Sequence, residues 1–325
     1  MHTDTGFDRA AVIAALPAWN WQQSAAMEAA AAGGAPAAYA RFYGLDRVGG
    51  DRPVRHAMGD IDAGGYRIVV QSWRQPEARG TVLVLHGYYD HVGIFDHVIA
   101  AVLAAGFDVL TFDLPGHGLS SGEPAAIGDF REYQAVLQAI VDGMRHAALP
   151  QPWQVVAQST GGAVFMDYLL GVPRDHGRAP FARAVLLAPL VRPVNWRING
   201  LVHALIHPFR RNIARKFAVN SHDDEFLHFL RAVDPLQPRH LSVRWVGALK
   251  RWIRDLEARP PRDFPLTVVQ GDEDGTVDWR HNLRVIRHKF PGCSVRLVPQ
   301  GRHQLANEAP EFRSQVLQHV VNSLG

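Results

Sequence analysis

The run Val155-Val156-Ala157-Gln158-Ser159-Thr160-Gly161-Gly162-Ala163 decides how the rest of the chain is read. An apolar, β-branched segment ends in a serine with small residues on either side, and a helical stretch, 163–170, follows. This is the layout of a nucleophile elbow, G-x-S-x-G, with Ala157 in place of the first glycine. A serine on a tight strand-to-helix turn projects Oγ above the sheet, within reach of a base. Residues two positions away must be small, because strand and helix nearly touch there. The first helical turn also leaves unpaired N–H groups that can hold a developing oxyanion.

Outward from the elbow, short apolar runs at 81–85, 108–112, 153–158, 184–188, 266–270 and 294–298 are rich in valine and leucine and do not alternate cleanly. Helical stretches at 95–105, 129–147 and 281–289 separate them. Strands buried on both faces and alternating with helices predict a mostly parallel sheet with helices on both sides. Runs at 54–61 and 66–73, joined by Asp62-Ala63-Gly64-Gly65, predict an antiparallel hairpin ahead of it. Residues 1–45 are alanine-rich and read as two short helices before a break at Gly49-Gly50-Asp51-Arg52-Pro53.

One interval breaks the rhythm. Residues 192–263 read as a helical insertion after the sixth strand, a cap over the carboxyl edge of the sheet. Leu201, Leu205, Phe209, Ile213 and Phe217 recur at every fourth position, with Pro208 kinking or breaking that helix. A second helix carries Trp245, Leu249, Trp252 and Leu256 on one face. The organisation expected is therefore a lead-in over 1–51, a core over 52–191 and 264–325, and a cap over 192–263.

Composition bounds the function. The chain has 325 residues, 47% hydrophobic and 20% charged, with a net charge of +3. That describes an ordinary globule with a sizeable core. Its one cysteine, Cys293, allows no internal disulfide and no thiolate cluster; a reducing, cytoplasmic setting is expected. No concentrated basic patch suggests nucleic acid, no leader segment is visible, and no apolar run is long enough to span a bilayer.

Open α/β sheets bind ligands beyond the carboxyl ends of their strands. After the first buried strand stands His86-Gly87-Tyr88-Tyr89-Asp90-His91, where the Tyr88 and Thr160 N–H groups would form a two-donor oxyanion hole. After the next comes Asp113-Leu114-Pro115-Gly116-His117-Gly118. Its third glycine, Gly122, falls one place late for a dinucleotide fingerprint and no helix opens there, so a tight structural loop is the better reading. Four acids, Asp272, Glu273, Asp274 and Asp278, follow the strand at 266–270 and compete to orient a base. His303 lies in a loop after the last strand, ahead of a final helix that Asn307 could cap. Serine, then acid, then histidine, each just past its own strand, is the chain order of α/β-hydrolases.

The sequence resembles the monoacylglycerol lipase and lysophospholipase-like (serine aminopeptidase-like) branch of the α/β-hydrolase superfamily over about residues 52–322. The resemblance rests on H-G-x-x-[DE]-H-x-G at His86 to Gly93 and D-x-x-G-H-G-x-S-x-G at Asp113 to Gly122. The elbow, G-x-x-D-x-x-V at Gly271 to Val277 and the Gly301 to Glu308 stretch complete it. It implies an α/β-hydrolase fold with Ser159 as nucleophile, Asp274 as orienting acid and His303 as base. Tyr88 and Thr160 would supply the oxyanion amides. Thr160 stands where the family often has methionine, and nothing before residue 52 has a counterpart.

The expected activity is hydrolysis of carboxylic esters, with medium or long acyl chains, through an acyl-enzyme and without metal or organic cofactor. Glu225 and His228 show a single E-x-x-H spacing, and helix-start acids on a solvated face account for them. An amidase or prolyl aminopeptidase-like peptidase shares the same triad, and a silent binding protein shares the fold. Halide or epoxide opening would want aspartate at position 159. Arg210, Arg211, Arg215 and Lys216 among apolar residues suggest a basic amphipathic helix able to touch an anionic membrane.

Overall fold

The apolar runs marked as buried strands become neighbouring strands of one sheet. The structure is a computed structural model that describes residues 6–171, 179–196 and 210–325. In chain order the strands are β1 (Arg55–Ala63), β2 (Tyr66–Arg74), β3 (Thr81–Leu85), β4 (Asp108–Phe112), β5 (Trp153–Gln158) and β6 (Phe181–Leu187), then β7 (Asn212–Ala214), β8 (His240–Ser242), β9 (Leu266–Gly271) and β10 (Ser294–Val298). Eight of them form one sheet in the order β1-β2-β4-β3-β5-β6-β9-β10, while β7 and β8 make a separate antiparallel ribbon. The β1–β2 and β2–β4 pairs are antiparallel and the rest of the large sheet is parallel.

Every residue of β3, β4 and β5 is buried, and the pleat sends neighbours to opposite faces. Leu83, Leu85 and Val155 join a core with α5 (Phe130–His146), α6 (Thr160–Gly171) and α9 (Trp279–Lys289). Val82, Val84 and Val156 face the other way, toward α4 (Asp96–Ala104) and α10 (Pro310–Leu324). Two-sided burial is why the sequence shows no alternation there. β10 departs from that expectation: it is an edge strand, and Leu297 is 48% exposed. Helix α5 starts where Asp129 and Glu132 form a reciprocal capping box.

Among the described residues three helices, not two, precede the sheet: α1 (Arg9–Ala15), α2 (Ala25–Ala32) and α3 (Gly34–Phe42). The Asp8 carboxylate caps α1 through the Ala10 N–H, and Gly33-Gly34 ends one helix and opens the next. Asn307 does not cap the last helix. Its amide donates to the Ile94 carbonyl at 2.9 Å, and α10 opens on Pro310, which has no N–H to satisfy.

The chain between β6 and β9 holds the β7–β8 ribbon, α7 (Asp224–His228) and α8 (Val243–Ala258). Leu201, Leu205, Pro208 and Phe209 of the expected first helix lie outside the described residues. The part that is described contradicts it: Ile213 is in β7, paired with Leu241. No basic helix runs through Arg215 either. Its guanidinium turns inward over the rings of Tyr89 and Phe217, 3.9 and 4.2 Å from their centroids, and donates to Gln237. The backbone pairs with β8 instead of with itself, and the arginine finds aromatic faces rather than solvent.

Asp234 pins this segment down. Its carboxylate accepts from Tyr43 Oη at 2.7 Å, His91 Nε2 at 2.9 Å, Gln237 Nε2 at 2.9 Å and the Leu236 N–H at 3.0 Å. Burial alone would raise its pKa; the facing His91 and these donors bring it to about 2. Removing one member of a buried pair strands the other. Asp234→Ala is expected to cost about 3 kcal/mol or more, read as a lower urea midpoint at unchanged m-value.

Candidate active site

The elbow forms because α6 begins hard against β3. A Cβ on Gly161 would lie 2.5 Å from the Leu85 carbonyl oxygen and 2.7 Å from that of His86, so only glycine fits. Ser159 takes up the turn with φ 48°, a left-handed conformation that side chains other than glycine adopt at a cost of about 1–3 kcal/mol. Its N–H donates to Leu187 O at 2.9 Å, and its carbonyl accepts from Ala163 and Leu190, each at 3.1 Å. Those bonds on both sides hold the strained residue in place.

His303 comes from the loop after β10. Its Nε2 lies 3.0 Å from Ser159 Oγ and its Nδ1 lies 2.8 Å from Asp274 Oδ2. With Nδ1–H donating to the carboxylate, Nε2 is left to accept the serine proton. Asp274 follows β9, and its other oxygen accepts the N–H groups of Thr276 at 2.8 Å and Val277 at 3.0 Å. The competing acids are engaged elsewhere. Asp272 accepts from the Gln300 N–H, Glu273 is exposed, and Asp278 caps α9 and pairs with Arg192 at 2.7 Å.

Burial pushes the Asp274 carboxyl toward the neutral form, but the adjacent His303 and the hydrogen bonds outweigh it and hold the pKa below the usual carboxylate range. For His303 burial works downward, and the charge and hydrogen bond of Asp274, with Asp90 behind them, raise the imidazole pKa above its ordinary value. Each group favours the other's charged form.

Tyr88 lies in the loop after β3. A Cβ on its neighbour Gly87 would be 3.3 Å from Ser159 Cβ, which puts this backbone directly against the serine. Among the described residues, neither the Tyr88 nor the Thr160 N–H donates to a protein acceptor. Both are free for an anion. The Gly116–Gly118 stretch is the tight loop expected: Asp113 accepts from Val92 and Leu119 N–H, each at 2.8 Å, and leaves no room for a side chain at Gly118.

Sequence reasoning missed the amides that brace the site. Gln158 donates to the His303 carbonyl at 2.8 Å, and Gln270 to Asp274 Oδ2 at 3.0 Å. Each is a glutamine at the carboxyl end of a mostly apolar strand, a signal that could have found them. Ser159, Thr160 and His303 open into a cavity of about 370 Å³. Leu190, Trp196, Val243, Trp245, Val246, Leu249 and Val277 line it. Along the apolar face of α8, Trp245 and Leu249 belong to the core and also reach the cavity with Val246, whereas Trp252, stacked on Phe130 at 4.7 Å, lies in the core with Ile253 and Leu256 and does not line the cavity.

A mostly parallel sheet whose carboxyl ends carry, in chain order, a strained serine, an acid and a histidine defines an α/β-hydrolase. More narrowly, the chain belongs to the serine aminopeptidase, S33 family, whose model matches residues 76–310. The monoacylglycerol lipase of Mycolicibacterium smegmatis is 33% identical to it over 259 residues, 75% of this chain and 89% of that one. Human monoglyceride lipase is 29% identical over 277 residues, 81% of this chain and 88% of that one. A soluble variant of the Saccharomyces cerevisiae monoglyceride lipase, solved with a substrate analogue, shares the fold. Its TM-score is 0.69 at 18% identity, covering 82% of this chain and 93% of that one.

The His303–Asp274 contact makes a direct prediction. In ¹H–¹⁵N spectra the His303 imidazole should titrate above about 6.5, the ordinary histidine value, and Asp274→Asn should bring it down. An unmoved titration would separate the two side chains in solution.

Proposed function

We propose that the protein hydrolyses carboxylic esters with Ser159 as nucleophile, His303 as general base and acid, and Asp274 as orienting carboxylate. The observation that carries this reading is the unbroken hydrogen-bond line from Asp274 through His303 to a serine held at positive φ. His303 Nε2 takes the proton as Ser159 Oγ attacks the ester carbon. The carbonyl oxygen becomes an anion held by the Tyr88 and Thr160 N–H groups. On collapse the imidazolium returns its proton to the departing alcohol, leaving an acyl-serine. Water, deprotonated by the same imidazole, then attacks the acyl carbon; the imidazolium returns that proton to Ser159 Oγ as the acyl–oxygen bond breaks, releasing the carboxylic acid and restoring the serine.

The apolar cavity beside Ser159 supports an acyl chain as the group bound there. Among its described lining residues there is no carboxylate to pair with a substrate ammonium, which favours esters over peptides with a free amino end. The names of the lipase relatives point the same way. We assign residues 52–191 and 264–325 to the hydrolase core and 192–263 to a cap. Strands β6 and β9, on either side of that interval, pair directly, so the sheet closes without it. Residues 1–51 form the lead-in, whose Tyr39 and Tyr43 pack into the core.

We also propose peripheral contact with anionic membranes through the cap. Arg210, Arg211, Arg244 and Arg251 surround a cleft that also holds Glu123, and Val243 lies in the wall between that cleft and the acyl cavity. No helix of the described chain is long and apolar enough to cross a membrane. A cytoplasmic location fits the one free cysteine, Cys293, and cell fractionation tests it.

A fluorophosphonate probe should label Ser159 and fail on Ser159→Ala, and p-nitrophenyl esters should turn over faster than matched amides. Labelling elsewhere, or faster amide turnover, would remove the assignment. Cosedimentation should be stronger with phosphatidylglycerol than with phosphatidylcholine vesicles and weaken with salt. It should also fall in Arg211→Ala/Arg251→Ala without loss of activity on a soluble ester; equal binding to both vesicles would end the membrane proposal.

A further inference from the structure

Asp90 takes no part in the proton path, yet it is buried to 5% exposure between the two loops that path depends on. Its Oδ2 accepts the Gly87 N–H at 3.1 Å, and its Oδ1 accepts Gln304 Nε2 at 2.7 Å. Gly87 precedes the proposed oxyanion donor Tyr88, and Gln304 follows His303. We propose that Asp90 is a positioning residue that locks the oxyanion loop to the histidine loop and whose negative charge supports the imidazolium formed at His303. This rests on the roles proposed above for Ser159, His303 and Tyr88.

Both partners of the carboxylate are N–H donors, an arrangement that favours the ionised form against the burial that opposes it. Burying a carboxylate against neutral donors is costly, and an amide or an apolar side chain would fill the space at lower cost. What the charge offers is its field. Burial raises the Asp90 pKa, and the Gln304 hydrogen bond with the charges of His303, Arg215 and His91 opposes that rise; the groups that raise the His303 pKa are Asp274 first and then Asp90. His303 therefore faces two carboxylates, one hydrogen-bonded and one not.

The grip on each loop is double. The Asp90 N–H returns to Gly87 O at 3.2 Å, closing a small turn around Tyr88 and Tyr89, with Tyr89 at φ 71°. The Gln304 N–H donates to Asn220 O at 2.8 Å, so that residue is fixed through both backbone and side chain. A Cβ at Gly87 would lie 2.6 Å from Asp90 Oδ2 on one side and 3.3 Å from Ser159 Cβ on the other, so carboxylate, turn and serine are stacked without slack. Displacing such a turn by about 1 Å can cost on the order of a hundredfold in rate.

The test uses the full chain with a soluble p-nitrophenyl ester. Asp90→Asn keeps the shape but turns an N–H toward one of two donors. It should lower kcat by about tenfold to a hundredfold with KM little changed, and move the acid limb of kcat/KM to lower pH. The exchanged pair Asp90→Asn/Gln304→Glu restores every hydrogen bond: the new amide accepts from the Gly87 N–H and donates to the new carboxylate. It also returns a negative charge beside His303, and it should recover most of the lost rate and of the limb position. If Asp90→Asn fails to fold, as thermal melting would report, the exchanged pair carries the test alone. Unchanged kcat in Asp90→Asn, or a loss with no shift of the limb and no recovery in the exchanged pair, overturns the proposal. Ser159→Ala separates the two ideas: if it retains turnover, the triad reading itself fails; if it is inactive, only the role of Asp90 is at stake.

Discussion

The close approach of α6 to the end of β3 is the constraint on which the site depends. Gly161 lies against the carbonyls of Leu85 and His86, and the chain can enter the helix there only by turning sharply at Ser159. The strain is local, but what holds it is not. Backbone bonds to Leu187 and from Leu190 tie the serine to β6 and to the segment after it. A residue that would relax in a free peptide is held because three strands and a helix leave it no alternative.

From that point the sheet does the assembling. Residues separated by more than a hundred positions meet because β3, β5 and β9 end at the same edge, and each loop leaves from there. Side chains brace these loops: Gln158 donates to the His303 carbonyl, Gln270 donates to the Asp274 carboxylate, and Asp90 accepts the Gly87 N–H. Such braces fix orientation without entering the chemistry, as preorganised sites require.

Much of this is legible in the sequence, for identifiable reasons. Strands buried on both faces leave uninterrupted apolar runs, and the elbow leaves small residues at fixed spacing, so the sheet, Ser159 and the order of the site residues can be read from the chain itself. The choice among Asp272, Asp274 and Asp278 cannot be made from spacing alone, because each follows β9 closely; resemblance supplies it, and hydrogen bonds distinguish the three. The region from Arg210 to Phe217 misleads because a four-residue apolar period fits a helix, while pairing with β8 and the rings around Arg215 are long-range and leave no local trace. Asn307 resembles a cap for the same reason. A proline three residues later decides where the helix begins.

Helix α8 has a second consequence. Its amino-terminal turns face the chamber through Trp245, Val246 and Leu249, and its later turns are clamped to the core through Trp252 and Leu256. Under the ester-hydrolase reading proposed above, the first length would shape what enters while the whole rod, Trp245 and Leu249 included, contributes to cohesion. On that reading, changes at Val246, which lines the chamber at the margin of the core, would retune the tails admitted while Trp252 and Leu256 keep their grip, so a lineage could change its diet without rebuilding its scaffold.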